Sequence, residues 1–156
     1  MSAFDANSFL DYTMDAPLVK RPPLPVGEYV GVVKEPKART WVSPNDPTKS
    51  GIAFDYMIEV DVPESYRERT GFESPTLQIK YGVMADVAPD GKSLDMGVGK
   101  NGGLRKLREA VDLNKPGDSF NPRAVAGRPV RLLISHREYP EGSGDFFEEI
   151  KSIAKV

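Results

Sequence analysis

The chain's single tryptophan, Trp41, lies in the segment KARTWVSPNDPTKSG, which holds prolines, turn formers and cations. The cations nearest to it in the sequence are Lys34, Lys37, Arg39 and Lys49. Proteins bind single-stranded nucleic acids with cations that contact phosphates and with aromatic faces on which bases stack, at about 1–3 kcal/mol per base. The segment therefore predicts a surface for unpaired bases. The alternative is that Trp41 folds back over the core and the cations form a solvated rim.

Further candidate cations lie in segments where apolar and polar residues alternate. They occupy the polar positions, which face away from the core. They are Lys80, Arg131 and Arg137. Tyr139, beside a predicted hairpin loop, is a second candidate for stacking, and Lys100 in GVGKNGG is a candidate for a phosphate contact. The complete predicted nucleic-acid-binding set is Lys34, Lys37, Arg39, Trp41, Lys49, Lys80, Lys100, Arg131, Arg137 and Tyr139.

The residues that enzymes use for nucleophilic or nucleotide chemistry are sparse in this sequence. GVGKNGG resembles a phosphate loop, but Leu94 stands where a Walker motif needs glycine, and Asn101 stands where it needs serine or threonine. With no cysteine and only one histidine, His136, no nucleophile–base–orienter set can be assembled. We predict a structural role for His136, pointing inward or capping a strand end, and no catalytic activity.

Three aspartates near a predicted turn, Asp86, Asp90 and Asp95, form the alternative site of metal-dependent chemistry. Their spacing matches no EF-hand, and no bidentate glutamate closes the loop. Turn-forming aspartates are the favoured interpretation. We therefore expect neither a metal nor a cofactor.

Composition fits one globular domain. The 156 residues are 39% hydrophobic and 28% charged, and the 14 prolines and 14 glycines favour short strands and turns over long helices. The net charge of −2 does not suggest a strongly basic binder, although one positive face remains compatible with it. The absence of cysteine suits a reducing compartment, and no apolar run approaches the length of about 20 residues that a membrane span needs. The N-terminal residues lack the layout of a signal peptide.

The apolar pattern predicts an N-terminal arm over residues 1–25, with a helical turn at 6–12, and a domain over residues 26–156. Within the domain, strict alternation in IAFDYMIEVDV and TLQIKYGVMADV predicts strands, and GKNGGLRKLREAVDLNKPG has helical spacing. A first strand is predicted at 28–38 with a bend at Gly31, and PEGSG joins the last two strands as a hairpin.

The predicted order is three strands, one short helix and a terminal hairpin. This order predicts a mainly β fold, a five-stranded oligonucleotide-binding barrel with its helix between strands three and four. A small sandwich or an SH3-like barrel gives similar strand signals, and the position of the helix favours the first fold. In that fold, Trp41 lies at the end of strand one or in the loop that follows it, which is one of two loops that frame the binding groove.

Several blocks of the sequence together resemble small bacteriophage proteins that are regarded as single-stranded DNA-binding proteins with this barrel. The blocks are FDANSFLD, PLPVGEYVGVV, DPTKSGIAFDY, GKNGGLRKLREAVDLNKPGDSF and AGRPVRLLISHREYPEGSGDFFEEI. The resemblance implies non-catalytic, largely sequence-independent binding of single-stranded DNA in phage replication or recombination, in the cytoplasm of the infected bacterial host. It also implies phage replication or recombination proteins as further partners, and a homodimer stays open.

One departure from that family concerns partner recruitment. Many such proteins end in an acidic tail, whereas this chain ends in KSIAKV, and its acidic candidate is the N-terminal segment with Asp5, Asp11 and Asp15. The alternative function is a phage structural protein or an inhibitor of host defence that presents the same barrel to a protein partner.

Overall fold

The computed structural model describes residues 4–156, so the first three residues of the predicted arm lie outside the described residues. A 3-10 helix at Ala6–Asp11 confirms the predicted N-terminal turn. The strands are β1 (Gly27–Val33), β2 (Lys37–Val42), β3 (Ser50–Asp61), β4 (Thr76–Ala85), β5 (Pro129–Glu138) and β6 (Phe146–Ala154). The helices are α1 (Glu64–Thr70) and α2 (Gly102–Ala110). No helix within residues 4–156 is long and apolar enough to cross a membrane.

All six strands belong to one antiparallel sheet, which confirms the prediction of a mainly β fold. β1 and β2 pair with the same edge of β3, one after the other, and β4 pairs with its opposite edge. β5 pairs with β1, and β6 pairs with β5. The sheet curls until β4 and β6 come into contact, but no strand pairing joins them in the described chain. The sheet is therefore not closed by hydrogen bonds.

The predicted first strand at 28–38 is wrong in its extent, because the strand is interrupted between Val33 and Lys37. Pro36 lies in this interruption, and a proline has no N–H to donate to a neighbouring strand. Gly31, the predicted bend, pairs with both β3 and β5. A Cβ on Gly31 would lie 2.7 Å from Cγ2 of Ile58, so glycine permits close packing at this position.

The long pairing of β3 with β4 runs without a bulge from Ile52↔Ala85 to Asp61↔Thr76. This register places the predicted apolar positions of both strands on one face, where Tyr56 and Ile58 are fully buried. The opposite face of β3 carries the alternate residues, and it is this face that holds the candidate site.

The predicted helix is confirmed as α2, whose Leu104, Leu107 and Ala110 are buried at helical spacing. α1 was not predicted. It places Tyr66 in the core and ends at Gly71, which adopts a left-handed conformation with φ 77°.

The end of the arm is anchored to the sheet. Leu24 is fully buried, and the ring Nε2–H of His136 donates a hydrogen bond of 2.6 Å to its carbonyl oxygen. Inward burial along β5 ends at Ile134, so His136 lies at the surface and fastens the arm instead of entering the core. The expected structural role thus takes the form of a tether for the arm.

Candidate nucleic-acid interface

The face of the sheet opposite the core carries a row of predicted side chains on β2. Because side chains two residues apart on a strand share a face, Lys37, Arg39 and Trp41 lie on one side of β2. Their registered partners on β3 are Asp55, Ala53 and Gly51, respectively. Trp41 lies one residue before the end of β2, so of its two predicted positions, the strand end and the loop that follows, the structure supports the strand end.

The same face continues onto β4. Lys80 is paired with Met57, and Gly82 is paired with Asp55, so both lie on the face that holds the β2 row. Lys80 is exposed, as the sequence predicts. We call this surface the stacking face, and it is formed by Lys37, Arg39, Trp41, Asp55, Met57 and Lys80.

Trp41 lies against the backbone of β3. A Cβ on Gly51 would come within 2.8 Å of the indole ring, so the absence of a side chain at Gly51 creates the space for the ring. Trp41 is partly exposed and does not belong to the hydrophobic core cluster of the described chain. Its Nε1–H is buried and has no hydrogen-bond partner among residues 4–156. The indole thus occupies a surface position with one polar group unsatisfied.

Carboxylates partly neutralise the predicted cations Arg39 and Lys34. Nε of Arg39 lies 2.8 Å from Oδ2 of Asp55, and Nζ of Lys34 lies 3.6 Å from Oε2 of Glu59. Oδ1 of Asp55 is buried and accepts no hydrogen bond from the described part of the chain. By contrast, Lys37 and Lys80 are exposed, and neither forms an ion pair with any described residue.

Next to the stacking face, a groove of about 760 Å³ follows the open seam between β4 and β6. Its lining includes Lys80, Gly82, Arg137, Tyr139, Phe147 and Glu149. Tyr139 is 65% exposed. Nη1 of Arg137 lies 3.8 Å from Oε1 of Glu149, both side chains being largely exposed. We call this the seam groove, and Lys80 belongs both to it and to the stacking face.

The remaining predicted residues lie elsewhere. Lys49 is in the β2–β3 hairpin loop beyond Trp41, where its carbonyl accepts from the N–H of Ser43 at 2.9 Å. Arg131 is exposed near the start of β5 and pairs with β1 and β6, away from the seam groove. Lys100 lines a separate pocket beside α2. The structure therefore unites Lys37, Arg39, Trp41 and Lys80, adds Arg137 and Tyr139 through the groove, and leaves Arg131 and Lys100 apart.

Sequence reasoning missed Phe147 and Lys20 in the seam groove region. Phe147 is 46% exposed, and the ammonium of Lys20 lies 3.8 Å from the centroid of its ring. Lys20 also donates to the carbonyl of Phe146. The available signal was the doublet Phe146–Phe147, because adjacent strand residues face opposite sides and one of them must leave the core face.

The predicted turn role fits the contacts of the three aspartates around residue 90. Asp90 Oδ1 accepts from the backbone N–H groups of Lys92 and Ser93, and these hydrogen bonds lower the pKa of Asp90. Asp86 accepts from the N–H of Asn101, and Asp95 from that of Gly97. Among residues 4–156, no three acidic or histidine side chains are grouped as metal ligands.

These observations define a mainly antiparallel β protein with an aromatic and cationic surface on the side of the sheet opposite its core. No protein-family profile, no curated protein and no solved structure matches this chain.

Proposed function

We propose that this protein binds single-stranded DNA without catalysis and largely without sequence preference, in phage replication or recombination in the cytoplasm of the infected bacterial host. The observation that carries the proposal is the stacking face, where Trp41 shares one surface with Arg39, Lys37 and Lys80. A lone aromatic ring beside exposed cations supplies both devices that single-strand binding needs.

In the proposed complex, a base stacks on the indole of Trp41 while exposed lysines contact the neighbouring phosphates. The buried, unpaired Nε1–H supports this role, because leaving a buried donor unsatisfied costs about 1–3 kcal/mol. Rotation of the indole away from Gly51 toward a base would return this N–H to water or to the ligand. Stacking tolerates every base, which accounts for the absence of sequence preference.

The topology supports an oligonucleotide-binding barrel with an open seam. If β1 and β2 are counted as one bent strand and the short helix α1 between β3 and β4 is left aside, the order is three strands, a helix and a hairpin, with α2 between the third and fourth strands. In this interpretation the stacking face lies on the first three strands. The β5–β6 loop beside Tyr139 frames the seam groove and lengthens the path of the bound strand.

The test is a titration of fluorescently labelled oligo-dT, followed by anisotropy and by the emission of Trp41. We expect saturable binding that weakens with salt and is stronger than binding to duplex DNA, with a change in tryptophan emission. Trp41→Ala should weaken binding about 5-fold to 150-fold, the equivalent of about 1–3 kcal/mol, with an unchanged thermal midpoint. Val42→Ala, at an exposed neighbour on the other face of β2, is the matched control.

A second candidate function, docking to a protein partner, is favoured by the exposed apolar side chains of the arm, among them Leu10 and Leu18. Absence of any oligo-dT binding at low salt would support this function and overturn the first. Binding with unchanged Trp41 emission would retain the function and remove Trp41 from the site.

A further inference from the structure

The N-terminal arm exposes a continuous series of large apolar side chains. Phe9 is 59% exposed, Leu10 is 84% exposed and Tyr12 is 71% exposed, and Met14, Leu18 and Val19 are exposed as well. Residues 4–19 also contain Asp5, Asp11 and Asp15 and no lysine, arginine or histidine. An exposed apolar series of this kind marks an interaction surface.

Part of the arm is already shaped for recognition. The side chain of Asp5 accepts from the N–H of Asn7 at 3.2 Å and so caps the 3-10 helix Ala6–Asp11. The rings of Phe4 and Phe9 meet edge to face, with centroids 6.0 Å apart. A preformed turn loses less conformational entropy when it binds than a fully flexible segment does.

A pocket of complementary character lies along one side of α2. It has a volume of about 200 Å³ and an apolar floor that includes Leu94, Leu104 and Phe120. Its cationic lining consists of Lys100, Arg105 and Arg108, and its lining also includes the carboxylate of Asp95. Nη1 of Arg105 lies 3.0 Å from Oε1 of Glu109, in an exposed ion pair that water weakens. Arg108 is held in place, because its Nε–H donates to the carbonyl of Leu113 at 2.8 Å and its guanidinium lies over Phe120. We call this the α2 pocket.

We propose that the arm of one copy docks in the α2 pocket of a second copy, with Phe9 or Leu10 on the apolar floor and the arm's aspartates beside Lys100 and Arg105. The two surfaces complement each other in hydrophobicity and in charge. The apolar side chains of the arm meet an apolar floor, and its charged residues, which are all acidic, meet a predominantly basic rim. This inference does not depend on the binding of DNA.

The length of the arm permits this exchange. The arm is fastened at its base, where Arg21 pairs with Glu148 and Leu24 is buried. Residues 4–19 beyond this anchor can extend to about 50 Å, at about 3.3 Å per residue. A segment of this reach, exposed along its length, can enter a neighbouring molecule while its own base stays docked.

The test is the sedimentation of the full chain over a range of concentrations without nucleic acid. We expect reversible association that weakens with added salt, because the contact pairs exposed charges. Phe9→Ala combined with Leu10→Ala should raise the dissociation constant on the order of tenfold or more, since the loss of a buried large apolar side chain has this effect. Lys100→Glu combined with Arg105→Glu should do the same.

Two controls make the experiment specific. Lys106→Glu combined with Lys151→Glu makes the same charge change outside the pocket and should leave association unchanged. The arm variant and the pocket variant, each non-associating alone, should associate when mixed, because the mixture holds one intact arm and one intact pocket. A wild-type chain that stays monomeric would overturn the proposal, as would association that survives both variants. Neither result affects binding to oligo-dT, which tests the proposed function separately.

Discussion

At the scale of single residues, Gly51 determines where the indole of Trp41 can lie. The space above this glycine is filled by the ring, and any added Cβ would come within 2.8 Å of it. We predict that Gly51→Ala displaces the indole and changes its emission and near-ultraviolet circular dichroism. Binding of oligo-dT should change with it, because the stacking surface is moved.

The control for this substitution is Gly102→Ala, at the first residue of α2, where an added Cβ would meet no atom within 4 Å. It should leave both the emission of Trp41 and the binding of oligo-dT unchanged. Wild-type spectra in Gly51→Ala would show that the ring does not rest on β3 as described.

The buried hydroxyl of Tyr56 makes the stability of the protein depend on pH in the alkaline range. Desolvation raises its pKa to about 12 from an ordinary value of 10, and its O–H donates to the carbonyl of Pro122 at 2.7 Å. Below pH 10 the phenol is protonated in both states, so its contribution is fully present. Between pH 10 and 12 the unfolded chain releases the proton first, and stability falls as pH rises.

We therefore predict that Tyr56→Phe is about 1 kcal/mol less stable at neutral pH, through the lost hydrogen bond, and loses less stability above pH 10. Urea denaturation at a series of pH values measures both effects. Part of the alkaline decline should remain, because burial also raises the pKa of Tyr81. Parallel pH curves for the wild type and the variant would contradict the role of Tyr56.

At the scale of elements, the base of the arm is joined to β6 by one ion pair that is largely withdrawn from water. The side chain of Glu148 is 9% exposed, that of Arg21 is 32% exposed, and Arg21 also donates to the hydroxyl of Tyr66. We predict that Glu148→Ala lowers the free energy of unfolding by about 1–3 kcal/mol, because it leaves a partly buried guanidinium without its carboxylate. Chemical denaturation measures this loss.

Glu149 is the matched comparison for Glu148, one residue further along β6. Its side chain is 47% exposed and lies 3.8 Å from Arg137. Glu149→Ala should cost about 0–1 kcal/mol, as exposed ion pairs do. Equal losses in the two variants would mean that the Arg21 contact does not hold the arm.

The elements that sequence predicted are those with long periodic patterns. Apolar and polar residues alternate along β3 and β4, and α2 repeats its leucines at helical spacing. The order of residues in these elements therefore predicts which face is buried. The helix α1 depends on tertiary contacts, since it has seven residues and a single buried side chain, Tyr66. Such short elements carry too few residues for a periodicity to emerge.

In the candidate site, too, the sequence predicts local features but not those that depend on the tertiary fold. Alternation correctly placed Lys80 and Arg137 at the surface, because their orientation is a local property of each strand. Whether two exposed cations share a groove depends on the curl of the sheet, which brings β4 to β6 and leaves Arg131 apart. Phe147 joined the groove through the same curl, and Lys20 through the docking of the arm.

At the scale of the whole molecule, the net charge of −2 conceals an uneven distribution of charge. The acidic residues of the arm precede the strands of the stacking face in the sequence. Close to that face, Arg39 and Lys34 are paired with carboxylates. Lys37 and Lys80, which are exposed and form no ion pair within residues 4–156, then supply most of the phosphate contacts that the proposal requires. The salt dependence of binding is the global quantity that counts such contacts.

We predict that Lys37→Ala combined with Lys80→Ala reduces the slope of log K against log salt for oligo-dT by about 1.4, because each neutralised phosphate of a single strand contributes about 0.7. Arg131→Ala combined with Lys100→Ala removes the same charge from positions outside the stacking face and the seam groove, and should leave the slope unchanged. Anisotropy titrations at several salt concentrations give both slopes. If the second pair reduced the slope as much as the first, DNA would follow a path around the molecule that includes β5 and α2, and the stacking face would lose its special role. A reduced slope in the first pair alone would fix the strand across β2, β3 and β4, since the phosphates must then lie within reach of both lysines.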